Sequence, residues 1–548
     1  MKKRCLTSEL VESNNGKAGP RTLLSAFSVV LIALATLSVE RAEGQSEKPH
    51  ADSYDVVILN GRVIDPETSL DAIRNIGLRE DQIAVVTTAS IQGRSTIDAT
   101  GLVVAPGFID MHAHGQQILP ARVQALDGVT TALDLEAGTL PVAKFYENAA
   151  RDGRPINYGV SAGWGHARIA ELTGNEPAAE PGFFTSHFGD WSWQLKIASA
   201  SELDAILRRV QQGLDEGGLG VGILLGYAPG AGRKEYHALH ELAARNGVPT
   251  FTHARYLSTI EPESSFEAYQ EMIAVAASTQ AQMHVCHLNS ISLRDIGDIA
   301  SMIRRAQSSG LRISVEAYPY GAGSTGIGAA MFRGSNWQDR LGGLEKSDFM
   351  LGGIPLSDQE FDRLQAEAPD TSIVVHMLRP DDNDKDREML DQSILFPGGV
   401  IASDAVDWLD ETGKPIPQHT WPLPENAMSH PRSAGTFARF LRIWVKEREK
   451  ISLLDAIAKL SLYPAQILGE SVPQMHAKGR LQPGADADIV VFDLDTVSDK
   501  ATFGRPAQTS VGFEYVLVAG ERLVSDGVLN TEILPGRAIR RNTSGREN

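Results

Sequence analysis

The sequence predicts an α/β fold, in which a (β/α)8 TIM-like barrel is inserted in a small β-sandwich built from both chain ends. Between residues 106 and 470, apolar runs of the buried-strand type alternate with helical patterns, which indicates βαβ units around a parallel sheet. Eight such runs occur, the number that this barrel requires. They are centred near residues 109, 131, 158, 222, 251, 284, 314 and 401.

The two ends of the chain, residues 54–105 and 471–548, are instead typical of short strands joined by turns. Near the start, an Asn-Gly pair at Asn60 indicates a hairpin turn between two strands. Near the end, residues 487–493 and 516–524 have the same β-type pattern. We expect both ends to form one β-sandwich, with the barrel domain between them.

The interval between the seventh and eighth predicted strands is too long for an ordinary loop. Within it, residues from about 327 to 397 are rich in glycine, proline and acidic side chains. We expect this stretch to be an insertion that covers the barrel mouth as a lid.

The first 53 residues have the features of an export segment. Lys2, Lys3 and Arg4 precede an apolar run at residues 23–39, and small residues follow at 42–44, as in a signal peptide. The run has about 17 residues, which is short for a membrane span of about 20. We expect an exported protein, periplasmic or secreted. The alternative is an uncleaved membrane anchor through residues 23–39.

Composition limits the possible partners. A chain of 548 residues with 42% hydrophobic content can bury one large core and a smaller domain. Its formal charge of -18 argues against a nucleic-acid partner or an anionic membrane surface, because both require a basic face. An anionic substrate would therefore need local positive charge from a metal or an arginine. Oligomeric state leaves no mark on the sequence.

Five positions predict a metal site. His112 and His114 follow the first apolar run, and residues two apart in a strand face the same side, so both can reach one cation. Alone, this pair is equally compatible with ordinary paired or solvated histidines. Other apolar runs end in Glu136, His253 and His287, and the carboxyl ends of barrel strands are where such folds collect their chemistry.

Strand periodicity also assigns the neighbours of these ligands. If His287 points into the barrel, Cys286 points out towards the helices, and the same alternation disfavours His284 as a ligand. We expect both to be core residues. Asp110 and Asp134 are expected to hydrogen-bond to the ligands.

Neutral imidazoles with a carboxylate suit one or two Zn²⁺ ions. Zinc acidifies a bound water and polarises a carbonyl, which are the requirements of amide hydrolysis. Asp404, at the end of the eighth run, can take the proton from that water and pass it to the leaving nitrogen.

The order of these motifs resembles the amidohydrolase superfamily, and more narrowly its D-aminoacylase or N-acyl-D-amino-acid deacylase group. The resemblance covers about residues 54–540. It is carried by residues 252–255, 285–289, 316–325, 402–404, 430–437 and 478–490. It implies hydrolysis of the amide of an N-acyl-D-amino acid, such as N-acyl-D-glutamate, to a carboxylate and a free D-amino acid.

Two positions depart from that group. Ala137 stands where the group has a metal-binding cysteine, which makes Glu136 the candidate for that ligand, as in related deacetylases. Asn289 stands where a lysine that helps to bind the substrate carboxylate is expected. Binding of the substrate then falls to four other residues. These are Arg255, Arg432, Tyr320 and Ser324, with the planar guanidinium groups suited to a carboxylate.

Two other functions stay open. One is hydrolysis of a cyclic amide or of an isoaspartyl dipeptide, although cyclic-amide hydrolases commonly carry a lysine on the fourth strand and residues 225–230 contain none. The other is a non-enzymatic scaffold role, which would be expected to lack some of the ligands.

Overall fold

A computed structural model describes residues 54–542. Its central sheet has eight strands that follow one another in chain order, and every neighbouring pair is parallel. The strands are Phe108–Asp110, Val129–Thr139, Asn157–Gly163, Val221–Leu224, Thr250–His253, Met283–Val285, Ile313–Ala317 and Val400–Ile401. The first and last strands meet just beyond their ends, where the Asp404 N–H donates to the His112 carbonyl at 2.7 Å. This confirms the predicted barrel.

Helices cover the outer face of the barrel. Leu239 and Ile299 from two of them pack with outward-facing strand residues such as Val285 and Val315 in one buried cluster. The main helices are Ile118–Ala125, Val142–Asp152, Trp164–Thr173, Ala200–Asp215, Arg233–Asn246, Ser265–Thr279, Ile296–Ser308, Asp384–Ile394 and Arg432–Phe440. The other α-helices are Trp191–Leu195, Leu288–Ile291, Trp337–Arg340, Asp358–Glu367, Leu453–Ile457 and Tyr463–Gly469.

Local sequence explains where the helices begin and end. Ser199 with Glu202 and Ser264 with Glu267 form capping boxes, in which each side chain bonds the backbone N–H of the other. The helix Arg233–Asn246 ends at Gly247, whose φ of 62° is the left-handed conformation that glycine adopts readily.

The barrel interior holds a separate apolar cluster. It joins residues of different strands, such as Leu133, Phe251 and Val400, with Leu468 of the helix Tyr463–Gly469. Cys286 also belongs to this interior cluster, so the prediction that it points to the helices is wrong. The strand ends at Val285 and His287 adopts a φ of 30°, so the two-residue alternation stops before the ligand is reached.

Strands from both chain ends form a common sheet of nine strands. The junction is an antiparallel ladder in which Val103–Pro106 pairs with Ile489–Phe492. The other strands are Tyr54–Asp65, Leu70–Arg79, Gln82–Thr87, Gly93–Asp98, Phe513–Val518, Glu521–Ser525 and Val528–Leu529. The hairpin expected at Asn60 is absent from this sheet, because Asn60 takes a φ of 62° inside a single bulged strand.

The predicted insertion has its own sheet and core. Its strands are Ala322–Gly326, Phe349–Leu351, Ile354–Pro355 and Ser372–His376. Phe332, Trp337, Phe349 and Phe361 form its centre. It begins earlier than the expected residue 327, because Ala322–Gly326 pairs with Ser372–His376.

The end of the expected insertion, by contrast, belongs to the barrel. The helix Asp384–Ile394 buries Leu390 and Ile394 in the same cluster as Ile401 of the last strand. Its acidic residues obscured this apolar face in the sequence.

The predicted export segment lies outside the described residues. Within residues 54–542, no helix has the length and hydrophobicity to cross a bilayer.

A buried charge network fastens the nine-stranded sheet to the barrel. Lys478 Nζ lies 2.5 Å from Asp488 Oδ2, and the same oxygen accepts a hydrogen bond of 2.8 Å from Asn157 of the third barrel strand.

Lys478→Met should destabilise the fold by about 3 to 5 kcal/mol, because it leaves the Asp488 carboxylate buried without its cation. Urea denaturation measures the free energy of unfolding of each variant. Arg62→Met, which removes the half-exposed pair with Asp71, should change stability by less than about 1 kcal/mol; equal effects would contradict the prediction.

Candidate metal centre

The carboxylate of Glu136 lies at the centre of four histidines. Its Oε1 is 3.0 Å from His253 Nδ1 and 2.7 Å from His287 Nε2. Its Oε2 is 3.2 Å from His112 Nε2 and 3.7 Å from His114 Nε2. The structure therefore brings all five residues predicted as ligands to one point, with Glu136 between two histidine pairs.

Asp404 lies against the pair formed by His112 and His114. Its Oδ1 is 3.5 Å from His112 Nε2, 3.4 Å from His114 Nε2 and 2.8 Å from a guanidinium nitrogen of Arg432. Burial alone would raise the pKa of Asp404, but the positive charges of Arg432 and His112 outweigh it and hold the pKa below its ordinary value. The carboxylate is therefore kept ionised.

A second layer of carboxylates orients the histidines. Glu316 Oε1 bonds His112 Nδ1, while its Oε2 is 2.9 Å from His284 Nε2. Asp134 Oδ1 is 3.2 Å from His114 Nδ1, as expected. Asp110 acts differently, because it accepts from the backbone N–H of His112 at 3.1 Å and not from the imidazole.

Glu316 is a functional candidate that sequence reasoning missed. It is 2% exposed at the end of the seventh strand, and its partner His112 lies 204 residues away in the chain. Burial would raise its pKa, but His112 and His284 outweigh that effect and hold the pKa far below the ordinary value. The available signal was an acid at the carboxyl end of a barrel strand, the same signal that identified Glu136.

The cluster fits a metal ion. Ligand atoms of His112, His114 and Asp404 lie within 4.8 Å of one another, and so do those of His112, Glu136 and His287. Tetrahedral ligands at about 2.1 Å from an ion are roughly 3.4 Å apart, close to the separations of 2.7 to 3.7 Å around Glu136. Four imidazoles with one bridging carboxylate are a donor set for a divalent transition metal.

The cluster opens into a cavity at the barrel mouth. Arg432, Ser324 and Tyr318 line it, together with Asp404. Arg432 is 1% exposed, and within residues 54–542 none of its three guanidinium nitrogens has an acceptor in hydrogen-bond geometry, despite the contact with Asp404. A buried guanidinium with free donors is suited to an anionic ligand.

The structure contradicts the prediction that Arg255 binds substrate. Its Nε and one terminal nitrogen each donate to Glu271 at 2.8 Å, and the other terminal nitrogen donates to the carbonyls of Pro229 and Ala231. All three of its guanidinium nitrogens are engaged, and Arg255 does not line the cavity. It is a structural cation that holds the loop after the fourth strand.

Tyr320 is also misassigned. Its hydroxyl lies 3.4 Å from the Pro431 carbonyl and its ring packs under Arg439, outside the cavity lining. Tyr318 takes the place in the cavity instead, with Arg432 over its ring at 4.7 Å. Asn289 holds this segment by bonds of 3.2 to 3.3 Å to the backbone of both tyrosines.

We predict that Glu316→Gln weakens binding of Zn²⁺ by about 10- to 100-fold, because His112 loses the anion that orients its ring. Titration of the metal-free protein with zinc gives the affinity. Glu235→Gln is the matched control, since Glu235 is equally buried but pairs with Arg168 away from the cluster. Unchanged affinity in Glu316→Gln, or the same loss in both variants, would contradict the orienting role.

Comparisons with known proteins agree with this site. An N-acyl-D-glutamate deacylase of Alcaligenes xylosoxydans xylosoxydans is 28% identical, over 90% of this chain and 98% of its own length. A D-aminoacylase of the same organism is 26% identical, over 85% of this chain and 94% of its own. The crystal structure of N-acyl-D-glutamate deacylase from Bordetella bronchiseptica, complexed with zinc and a phosphonate inhibitor, shares the fold. Its TM-score is 0.69 at 23% identity, and the match covers 89% of this chain and 99% of that one.

A family model describes most of the chain. The model of the amidohydrolase family matches residues 95–290 and 193–524, which include every residue of the metal centre. The chain therefore belongs to the amidohydrolase family.

Proposed function

We propose that this protein is a zinc-dependent hydrolase that cleaves the amide of N-acyl-D-amino acids to a carboxylate and a free D-amino acid. The observation that carries the proposal is the meeting of three groups at one cavity. These are the histidine cluster around Glu136, the ionised Asp404 and the buried guanidinium of Arg432, which has N–H donors beyond its contact with Asp404. One of the two similar enzymes is named an N-acyl-D-glutamate deacylase and the other a D-aminoacylase. Both names support an N-acyl-D-amino acid as the substrate.

His112, His114, Glu136, His253 and His287 would hold one or two Zn²⁺ ions. The chemistry supplied there by bound zinc is Lewis acidity towards water and the scissile carbonyl. Glu136 has one oxygen near each histidine pair, so its carboxylate would contribute to both halves of the site. Glu316 and Asp134 keep His112 and His114 in the orientation that binding requires.

Asp404 is placed for proton transfer. Its carboxylate lies beside the histidine cluster and lines the cavity, where the attacking water and the amide of a bound substrate would have to meet. Arg432 favours the ionised form, which a general base must have. The proton taken from water is then delivered from the Asp404 carboxyl to the nitrogen, so that the product leaves as an amine.

Among the described residues that line the cavity, Arg432 is the one that carries a guanidinium or ammonium group. Its free N–H groups can bind the α-carboxylate of the substrate, and Ser324 and Tyr318 offer hydroxyl groups in the same cavity. A second candidate, hydrolysis of a cyclic amide, has less support. Cyclic-amide hydrolases commonly carry a lysine on the fourth strand. Here the residue that follows this strand and lines the cavity is Tyr227, whose hydroxyl lies 2.9 Å from Thr325 Oγ1.

Export is a separate part of the proposal. The charged start, the apolar run at 23–39 and the small residues at 42–44 support a periplasmic or secreted enzyme, with membrane attachment if the segment stays in place. Fractionation of cells that express the full chain, with mass spectrometry of its N-terminus, tests both outcomes.

Asp404→Asn should lower kcat/KM for an N-acetyl-D-amino acid by about 100- to 10,000-fold, because the general base is lost. Zinc content, measured by atomic spectroscopy, should stay near that of the unmodified enzyme. Asp410→Asn, on the same loop but exposed, is the control and should leave kcat/KM unchanged. Full activity of Asp404→Asn would exclude the assignment, and joint loss of zinc and activity would make Asp404 a ligand.

Arg432→Ala should lower kcat/KM for N-acetyl-D-amino acids by about 10- to 100-fold, since a charge-assisted hydrogen-bonded pair is lost. The corresponding N-acetyl-D-amino-acid amides, which lack the carboxylate, serve as control substrates. The preference of the enzyme for acid over amide should disappear in the variant. Arg432→Lys should recover little of it, because an ammonium cannot make the two-pronged contact. A preference that survives in Arg432→Ala would mean that another group binds the carboxylate.

A further inference from the structure

The cavity has an apolar wall that the chemistry does not use. It is formed by Leu257, Ile291, Met331, Phe332, Val375 and Met377. Phe332 and Val375 are 1% and 3% exposed and belong to the core of the insertion, so this part of the wall is held in place. Met331 and Met377 are partly exposed, and methionine adapts its shape to different apolar groups.

The wall offers no partner for a negative charge. Within the described chain, Arg432 is the one lysine or arginine that lines the cavity, and the proposed function assigns it to the α-carboxylate. Arg333 follows Phe332 directly, but its guanidinium lies over the ring of Trp191 at 4.7 Å and donates to the Gly328 carbonyl at 3.1 Å. A second carboxylate on the substrate would therefore meet apolar side chains.

We infer that the amino acid released by this enzyme carries an apolar side chain, of the size of leucine, methionine or phenylalanine, and is not acidic. The inference rests on the proposed function and narrows its substrate class. An unpaired carboxylate loses its hydration at such a wall without compensation, whereas an apolar side chain gains by leaving water. Sequence similarity does not decide the point, because relatives at 28% and 26% identity differ in the substrates that their names give.

The wall residues come from three places in the fold. Leu257 follows the fifth barrel strand, Ile291 lies on the short helix after the sixth, and the other four belong to the insertion. The insertion thus supplies most of the surface that would contact the side chain, and it supplies none of the metal ligands.

The test compares the zinc-loaded full chain on N-acetyl derivatives of D-leucine, D-methionine, D-alanine, D-glutamate and D-aspartate, so that only the side chain varies. We expect kcat/KM for the N-acetyl derivatives of D-leucine and D-methionine to exceed kcat/KM for those of D-glutamate and D-aspartate by at least about tenfold. Equal or better hydrolysis of the acidic substrates overturns the inference and leaves the proposed function intact. Hydrolysis of none of the five overturns the proposed function and the inference with it.

A charge placed in the wall gives an independent measure. Met331→Lys should raise the ratio of kcat/KM for N-acetyl-D-glutamate to that for N-acetyl-D-leucine by at least about tenfold, since it adds the missing cation. Ile354→Lys is the matched control, because Ile354 belongs to the same insertion, is 70% exposed and does not line the cavity. An unchanged ratio in Met331→Lys, with circular dichroism showing a native fold, overturns the assignment of this wall to the side chain.

Discussion

The burial of one carboxylate, Glu136, among four histidines is the constraint to which the rest of the site responds. The group is 3% exposed, and an ionised carboxylate at that depth is strongly unfavourable unless positive charge compensates it. His112, His253 and His287 hold its pKa well below the ordinary value despite burial. Those histidines in turn need fixed rings, which Glu316 supplies for His112 and Asp134 for His114. The layers of alternating charge thus depend on one another, and each can be satisfied only where several strands end together.

The fold could be predicted to a large extent from the sequence because its determinants are local. A buried parallel strand is a short apolar run, and the side chain that follows it lies at the carboxyl end of the barrel, so His253 and Asp404 could be identified singly. The predictions that failed depended on side-chain contacts and backbone geometry that an apolar-run pattern does not encode. Arg255 is neutralised by Glu271 on the following helix, and Tyr318 replaces Tyr320 in the cavity because of the path that the backbone takes after the seventh strand. The direction of Cys286 was lost where regular strand geometry ends.

The barrel and the insertion have different proposed roles: the barrel holds the reacting groups, and the insertion supplies most of the surface that selects the substrate. The candidate metal ligands lie in a barrel strand, as Glu136 and His253 do, or in the few residues after one, where the hydrogen-bonded sheet fixes their position. Most of the apolar wall comes from a segment with its own sheet and its own aromatic core. Such a segment can change its lining side chains without disturbing the strand ends. This arrangement allows related enzymes to act on different substrates.

The ladder between Val103–Pro106 and Ile489–Phe492 bears on how the chain matures. It joins residues that lie before and after all eight barrel strands, so the strand Val103–Pro106 keeps an unpaired edge until residues 489–492 have been made. An open edge with the apolar sequence of Val103–Pro106 is a site at which another chain can add and aggregate. Synthesis that stops before Ile489 would leave that edge uncovered whatever the state of the barrel. The edge is therefore covered only in molecules that include the strand Ile489–Phe492.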